Sequence, residues 1–228
     1  MLTETATAVT TPLKQPLSRP SWWGALCGAI GCAVGVALIC VAFVRTPLGQ
    51  HVDDALMPEA ARGGYYAGTS DAYQAARSVL RLVGNPVHIA IFVAVLVVAG
   101  LLARRVVAAV AGVGVLFGSI GAARVLKAEI VRPDFDVIGT SAHNSFPSGH
   151  VAAAAGMVFA VALLIRAGHR RWMLLPGVIV CAVVTVATMV AGWHRLSDGL
   201  GAVLVAGTLY FVAVAVDRVI NQDLADLR

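Results

Sequence analysis

Charge is what this sequence has least of. Asp, Glu, Lys and Arg together make up 13% of its 228 residues, about half the share of an ordinary soluble domain. Lysine occurs only at Lys14 and Lys127, and the arginines behind the net charge of +5 are scattered, so no basic run is available to hold nucleic acid. Aromatic residues reach only 7%, which leaves the apolar mass to Ala, Val, Leu and Gly, residues suited to tightly packed membrane helices. The four cysteines, Cys27, Cys32, Cys40 and Cys181, lie inside apolar stretches. They have neither the spacing of a metal site nor that of a disulfide framework and read as small hydrophobes. Apolar residues are abundant, at 59%, with a mean hydropathy of +0.83. That excludes both a water-soluble globule and a disordered chain, and it predicts an all-α polytopic membrane protein.

Six apolar runs, at 22–44, 86–103, 106–126, 148–166, 173–192 and 197–216, each approach the roughly 20 residues that a bilayer requires, so six transmembrane helices are expected. Residues 1–21 are rich in Thr and Pro and read as a disordered tail. Residues 22–216 form the membrane domain, and 217–228 a second tail. The first run lacks a cleavage signature and should stay in the membrane. The 45–85 stretch reads as a long loop, with residues 70–83 forming an amphipathic interfacial helix ended by Gly84. Asn85-Pro86 supplies an N-cap and a first-turn proline for the second span. The spacings Gly24/Gly28, Gly31/Gly35 and Gly114/Gly118 predict close helix packing inside the monomer. An even number of spans puts both tails on one side, together with nine basic residues in short segments: Lys14, Arg19, Arg104, Arg105, Arg166, Arg170, Arg171, Arg218 and Arg228. The positive-inside rule makes that side cytoplasmic. The preference for Arg over Lys, with much Ala, Val and Gly, suits a high-GC bacterium and hence a bacterial inner membrane.

Three polar segments gather at the opposite ends of the spans. Lys127 and Arg132-Pro133 follow the third span. Phe146-Pro147-Ser148-Gly149-His150 opens the fourth, with proline expected in its first turn and the amides of Ser148, Gly149 and His150 free; a helix N-terminus attracts anions, and His150 can supply a proton. Trp193-His194-Arg195-Leu196-Ser197-Asp198 lies before the sixth. On a helix, Asp198 would hold one ring nitrogen of His194 and leave the other as a nucleophile. Ionisable groups beside a membrane span are functional candidates by default. His88, His51 and His169, by contrast, have no partner in the pattern, and Asp134, Asp136 and His143 are too irregularly spaced for a cation site.

Taken together and in this order, Lys…Arg-Pro, Pro-Ser-Gly-His and His-x-x-x-Asp resemble the type 2 phosphatidic acid phosphatase superfamily, in its integral-membrane lipid phosphate phosphatase branch, over residues 86–216. The resemblance implies phosphoryl transfer without metal or other cofactor. His194 would form a phosphohistidine, Asp198 would orient it, and His150 would protonate the leaving oxygen. Lys127, Arg132, Ser148 and Gly149 would bind the phosphate oxygens. The implied substrate is a lipid phosphate or diphosphate held by the bilayer and hydrolysed at the outer face. A lipid-dependent phosphotransferase and a catalytically weakened lipid-phosphate-binding relative are the alternatives. Two departures stand out. The family pattern has six residues between its lysine and Arg-Pro, which would fall on Val125, whereas four separate Lys127 from Arg132. The family's arginine six positions before the nucleophile is Thr188 here, and Arg195, or failing that Arg124, would supply the missing cation.

Overall fold

The computed structural model describes residues 22–58, 70–137 and 144–226. The expected tail at 1–21, part of the outer loop, His143 and Arg228 lie outside the described residues. Every regular element among the described residues is helical: α1 Trp23–Ile39, continued by a π turn Cys40–Val44, α2 Pro47–Ala55, α3 Asp71–Gly84, α4 Pro86–Leu102, α5 Val106–Glu129, α6 Gly149–Leu164, α7 Leu174–Val190 after a 3-10 turn, and α8 Leu196–Asp226.

Four segments are long and apolar enough to cross a membrane: Trp23–Val44, Val106–Glu129, Gly168–Val190 and Leu196–Ile220. Exposed Leu38, Val95, Val110 and Val178 give the bundle an apolar exterior, as lipid contact requires. The expected second and fourth spans are less plain. α4 passes the same test only together with α3, across a bend of 51°. The bend sits at Asn85, whose side chain accepts from the Val87 amide at 2.8 Å, with Pro86 in the first turn, as the dipeptide predicts. α6 has only 16 residues, about 24 Å of helix against roughly 30 Å of hydrocarbon.

That short helix is the hub of the bundle, packing against α5, α8, α7 and α3, with Val151 to Gly156 all buried. Small residues permit the approach. A Cβ on Gly156 would stand 3.0 Å from the Leu116 Cα, and one on Gly112 would stand 3.2 Å from Ala160. The predicted glycine pairs behave differently: Gly28, Gly35 and Gly118 face Phe211, Leu204 and Leu209, but Gly24, Gly31 and Gly114 face open space. One member of each pair packs, because α1 and α5 turn a single face to α8.

The amphipathic helix α3 forms one residue later than expected at each end, Asp71–Gly84, with Ser70 as its N-cap and Asn85, not Gly84, as its C-cap. Its apolar face covers other helices: Ala76 and Leu80 are buried in one cluster with α6 and α7, flanked by Tyr73, Val79 and Val83. An additional helix, α2, lies in what the sequence presented as loop. Thr46 caps it by accepting from the Gly49 amide at 3.0 Å, and its inner side consists of Gly49, Gln50 and Asp53. A Cβ on Gly49 would collide with the Ala42 carbonyl oxygen, so only glycine lets α2 sit this closely on the end of the first span.

At the far end of the bundle, Arg105 donates to the Leu164 carbonyl at 2.8 Å and Arg170 to the Ile165 carbonyl at 3.2 Å. These cations satisfy the carbonyls at the C-terminus of α6 and suit its dipole. The basic turns thus share one end of the bundle, and the three polar segments share the other.

Candidate active site

The first segment begins in the last turn of α5, where Lys127 is half-buried, and continues as extended chain from Ile130. Arg132 is buried at 6% exposure, and its Nη2 lies 3.3 Å from Asp198 Oδ1. Its Nε and Nη1 are buried with no hydrogen-bond partner among the described residues. An unsatisfied buried donor costs about 1–3 kcal/mol, more if charged. Arg132 lies behind the Asp198 carboxylate and is not among the residues lining the cavity that His194 and His150 share.

Asn144 splices the second segment to the first. Its side-chain amide donates to the Lys127 and Phe146 carbonyls, each at 3.1 Å, and its oxygen accepts from the Phe146 amide at 3.1 Å. Phe146 is fully buried, with its ring over Gly201. α6 then starts at Gly149, one step later than expected: Ser148 is the N-cap, and Pro147 lies before the helix. The Ser148 amide is not free either, since it donates to the Asp198 carbonyl at 3.0 Å. The amides of Gly149 and His150 remain at the helix N-terminus.

The third segment is a turn between α7 and α8. The Trp193 and His194 amides donate to the Thr188 carbonyl at 3.0 and 3.3 Å. Since α8 starts at Leu196, His194 precedes the helix on which it was expected. The i, i+4 pair forms nevertheless, because Asp198 folds back over its own N-terminus. Its Oδ2 accepts from the Arg195 amide at 2.9 Å, the reciprocal half of a capping box. The same oxygen faces His194 Nδ1 at 3.4 Å and accepts from Ser145 Oγ at 2.6 Å. A proton on Nδ1 leaves the lone pair on Nε2. Asp198 is fully buried and His194 nearly so, so the fixed carboxylate allows the ring little freedom.

His194 and His150 line a common cavity of about 420 Å³ with Lys127, Arg124, Gly149 and Trp193. Lys127 enters this cavity despite its irregular spacing, while Val125 points outward at 61% exposure; Arg124, one turn earlier, shares the lysine's face. Arg195 does not line the cavity. It is buried behind it, donating from Nη1 to Ser145 Oγ at 3.3 Å. Thr188 is fully buried, with its hydroxyl closed on the Thr185 carbonyl at 2.7 Å. A second cavity of about 320 Å³ adjoins the first across His150 and Trp193, with Arg77 and Arg81 on its far wall.

Four contributors were not singled out in the sequence: Asn144, Ser145, Gln50 and Asp53. The first two directly precede the Phe-Pro-Ser-Gly-His motif, and polar residues at a motif's edge were the available signal. His88 serves a helix end, with Nδ1 on the Leu82 carbonyl at 3.1 Å, and His51, within α2, has Nδ1 on the Pro47 carbonyl one turn earlier at 2.8 Å. Asp134 Oδ1 accepts from the Asp136 amide at 3.0 Å, an ordinary polar turn. Among the described residues no group of three or more His, Cys, Asp or Glu is arranged to hold a metal ion.

A family model described as the PAP2 superfamily matches residues 70–221. No curated protein matches the chain. Among solved structures, the first transmembrane PAP2 type phosphatidylglycerolphosphate phosphatase from Bacillus subtilis is similar, with 18% identity and a TM-score of 0.63. The match covers 83% of this chain and 96% of that one. At that identity the likeness is one of fold.

Proposed function

Because the chain belongs to the PAP2 superfamily, shares the fold of a membrane lipid phosphatase and has several helices long and apolar enough to cross a membrane, we propose that it is a lipid phosphatase that hydrolyses a lipid phosphate or diphosphate through a phosphohistidine on His194. The observation that carries this is Asp198, a fully buried carboxylate with His194 on one oxygen and Arg132 on the other.

In the first step, the His194 Nε2 lone pair attacks phosphorus and the bond to the leaving oxygen breaks; His150 gives that oxygen a proton. Water then attacks the phosphohistidine, His150 takes the water's proton, and inorganic phosphate leaves with His194 restored. Asp198 holds the ring and stabilises its positive charge. Lys127, Arg132 and the Gly149 and His150 amides stabilise the equatorial oxygens, which is most of what phosphoryl transfer asks of a protein. Ser148 would contribute through its hydroxyl, as its amide is occupied. Phosphate release from phosphatidylglycerol phosphate, phosphatidic acid and a polyprenyl diphosphate, with and without EDTA, tests this reading. Release from at least one lipid, unchanged by EDTA, is expected; no release from any contradicts it.

The cation absent at position 188 is best supplied by Arg124, which shares the cavity wall with Lys127, rather than by Arg195, which braces Ser145. Arg124→Ala is expected to lower kcat/KM by roughly 10- to 100-fold, the worth of one charge-assisted hydrogen bond. A change under threefold, measured on a short-chain lipid phosphate, would make Arg124 a bystander.

The topology proposed is six spans, counting α4 and the short α6, in a bacterial inner membrane. Both tails lie in the cytoplasm and the cavity opens outward. The clustering of basic turns at the opposite end supports this. With the native cysteines replaced, Asp71→Cys should react with an impermeant maleimide in intact cells and Gly168→Cys only after lysis. Both sites have room for the side chain, Asp71 being exposed and Gly168 having no neighbour within 4 Å of its Cβ position. Labelling of the second site from outside would reverse the orientation.

A further inference from the structure

Helix α2 lies outside the residues that match the family model, yet its inner face reaches two of the three catalytic segments. Asp53 is 1% exposed; Oδ1 accepts from the Ser197 amide at 3.1 Å and Oδ2 from the Ser197 hydroxyl. Ser197 lies in the first turn of α8, between His194 and Asp198. Gln50, one turn earlier and 2% exposed, donates from Nε2 to the Val44 and Pro133 carbonyls, both at 2.9 Å. It thereby ties the end of the first span to the residue after Arg132. Burial pushes the Asp53 carboxyl above the usual carboxylate range, and the two Ser197 bonds draw it back down. A buried carboxylate is costly without partners, and Ser197 supplies them to both Asp53 oxygens.

From this geometry we propose that Asp53 is a positioning residue: through Ser197 it fixes the turn that carries His194 and Asp198, while Gln50 fixes the Arg132 segment from the same helix. The first span and α2 thus form a brace that sets the nucleophile against the phosphate-binding arginine. Asp53 itself touches no substrate. The inference rests on the phosphohistidine reading above. Its mechanism is geometric, since a shift of about 1 Å in an attacking atom can cost about 10²-fold in rate.

The experiment uses the full-length protein in detergent and compares Asp53→Leu, Asp53→Asn, Ser197→Ala and the Asp53→Leu/Ser197→Ala double variant. It reads kcat and KM for a lipid phosphate, the rate of phosphoenzyme labelling, and the melting temperature. Asp53→Leu should lower kcat and the labelling rate by about 30- to 100-fold with KM within threefold. Asp53→Asn, which can still accept from the amide, should recover most of that loss. Adding Ser197→Ala to Asp53→Leu should cost less than about twofold more, because residues acting through one contact are non-additive. Wild-type kcat in a folded Asp53→Leu protein, a loss confined to KM, or multiplicative losses in the double variant would each overturn the proposal. If Asp53→Leu does not fold, Ser197→Ala decides: a drop of about fivefold or more in kcat at constant KM supports the brace, and an unchanged kcat removes it. A wild-type protein that turns over lipid phosphate but takes up no label would refute the phosphohistidine reading, whereas normal labelling of wild type and Asp53→Leu alike would refute only the brace.

Discussion

Asp198→Asn is expected to lower kcat by up to about 10⁴-fold while leaving substrate binding within a small factor, as loss of an orienting carboxylate does in hydrolases that depend on one. The size follows from how much converges on that side chain. Oδ2 faces His194 Nδ1 and accepts from Ser145 Oγ and the Arg195 amide, and Oδ1 pairs with Arg132. An asparagine cannot accept from all of these, and its amide hydrogens would meet donors. The imidazole would lose both its fixed tautomer and the countercharge it needs on becoming a phosphorylated cation. Stability should fall too. Arg132 is buried with Asp198 as its paired carboxylate, and removing one partner of a buried ion pair costs about 3–5 kcal/mol. Asp198→Ala should therefore melt earlier than Asp198→Asn. An Asp198→Asn protein with turnover within tenfold of wild type would mean that the carboxylate serves the helix cap alone.

His194→Ala is expected to cost more, on the order of 10⁴-fold or beyond, because it removes the nucleophile rather than its support. The phosphate subsite should survive, since Arg132, Lys127 and the amides at the N-terminus of α6 come from other elements. The variant should bind lipid phosphate nearly as well as wild type and do little with it. His150→Ala provides the contrast. Its deficit should depend on the leaving group, larger for a lipid monophosphate, whose alcohol needs a proton, and smaller for a lipid diphosphate, whose leaving lipid monophosphate departs as an anion. Equal losses on both substrates would exclude His150 as the general acid.

Much of this site was legible in the sequence because each catalytic segment lies where an apolar run meets polar residues, and that boundary fixes which end of the bundle it occupies. Asn85-Pro86 marked where α3 gives way to α4 through local capping chemistry, which depends on few distant contacts. Other features depended on tertiary structure. The Ser148 amide looked free because a sequence shows only that it begins a helix; it takes a backbone acceptor, the Asp198 carbonyl, from 50 residues away. Arg195 and Arg124 are both near the motifs, and only the fold turns one toward Ser145 and the other toward the cavity. α2 was missed because its segment, Pro47 to Ala55, carries only two large apolar residues, Leu48 and Val52, and both are exposed. Its buried face is Gly, Gln and Asp, held by hydrogen bonds and close backbone approach rather than by an apolar stripe, so hydrophobic periodicity had nothing to report.

The central claim is a covalent phosphohistidine on His194, and quenching the protein in alkaline SDS during turnover of a ³²P-labelled lipid phosphate tests it most directly. The account predicts acid-labile, alkali-stable label on the peptide containing His194 in the wild-type protein and none in His194→Ala. Full turnover with no trapped label, or label on any other residue that persists in His194→Ala, would contradict it.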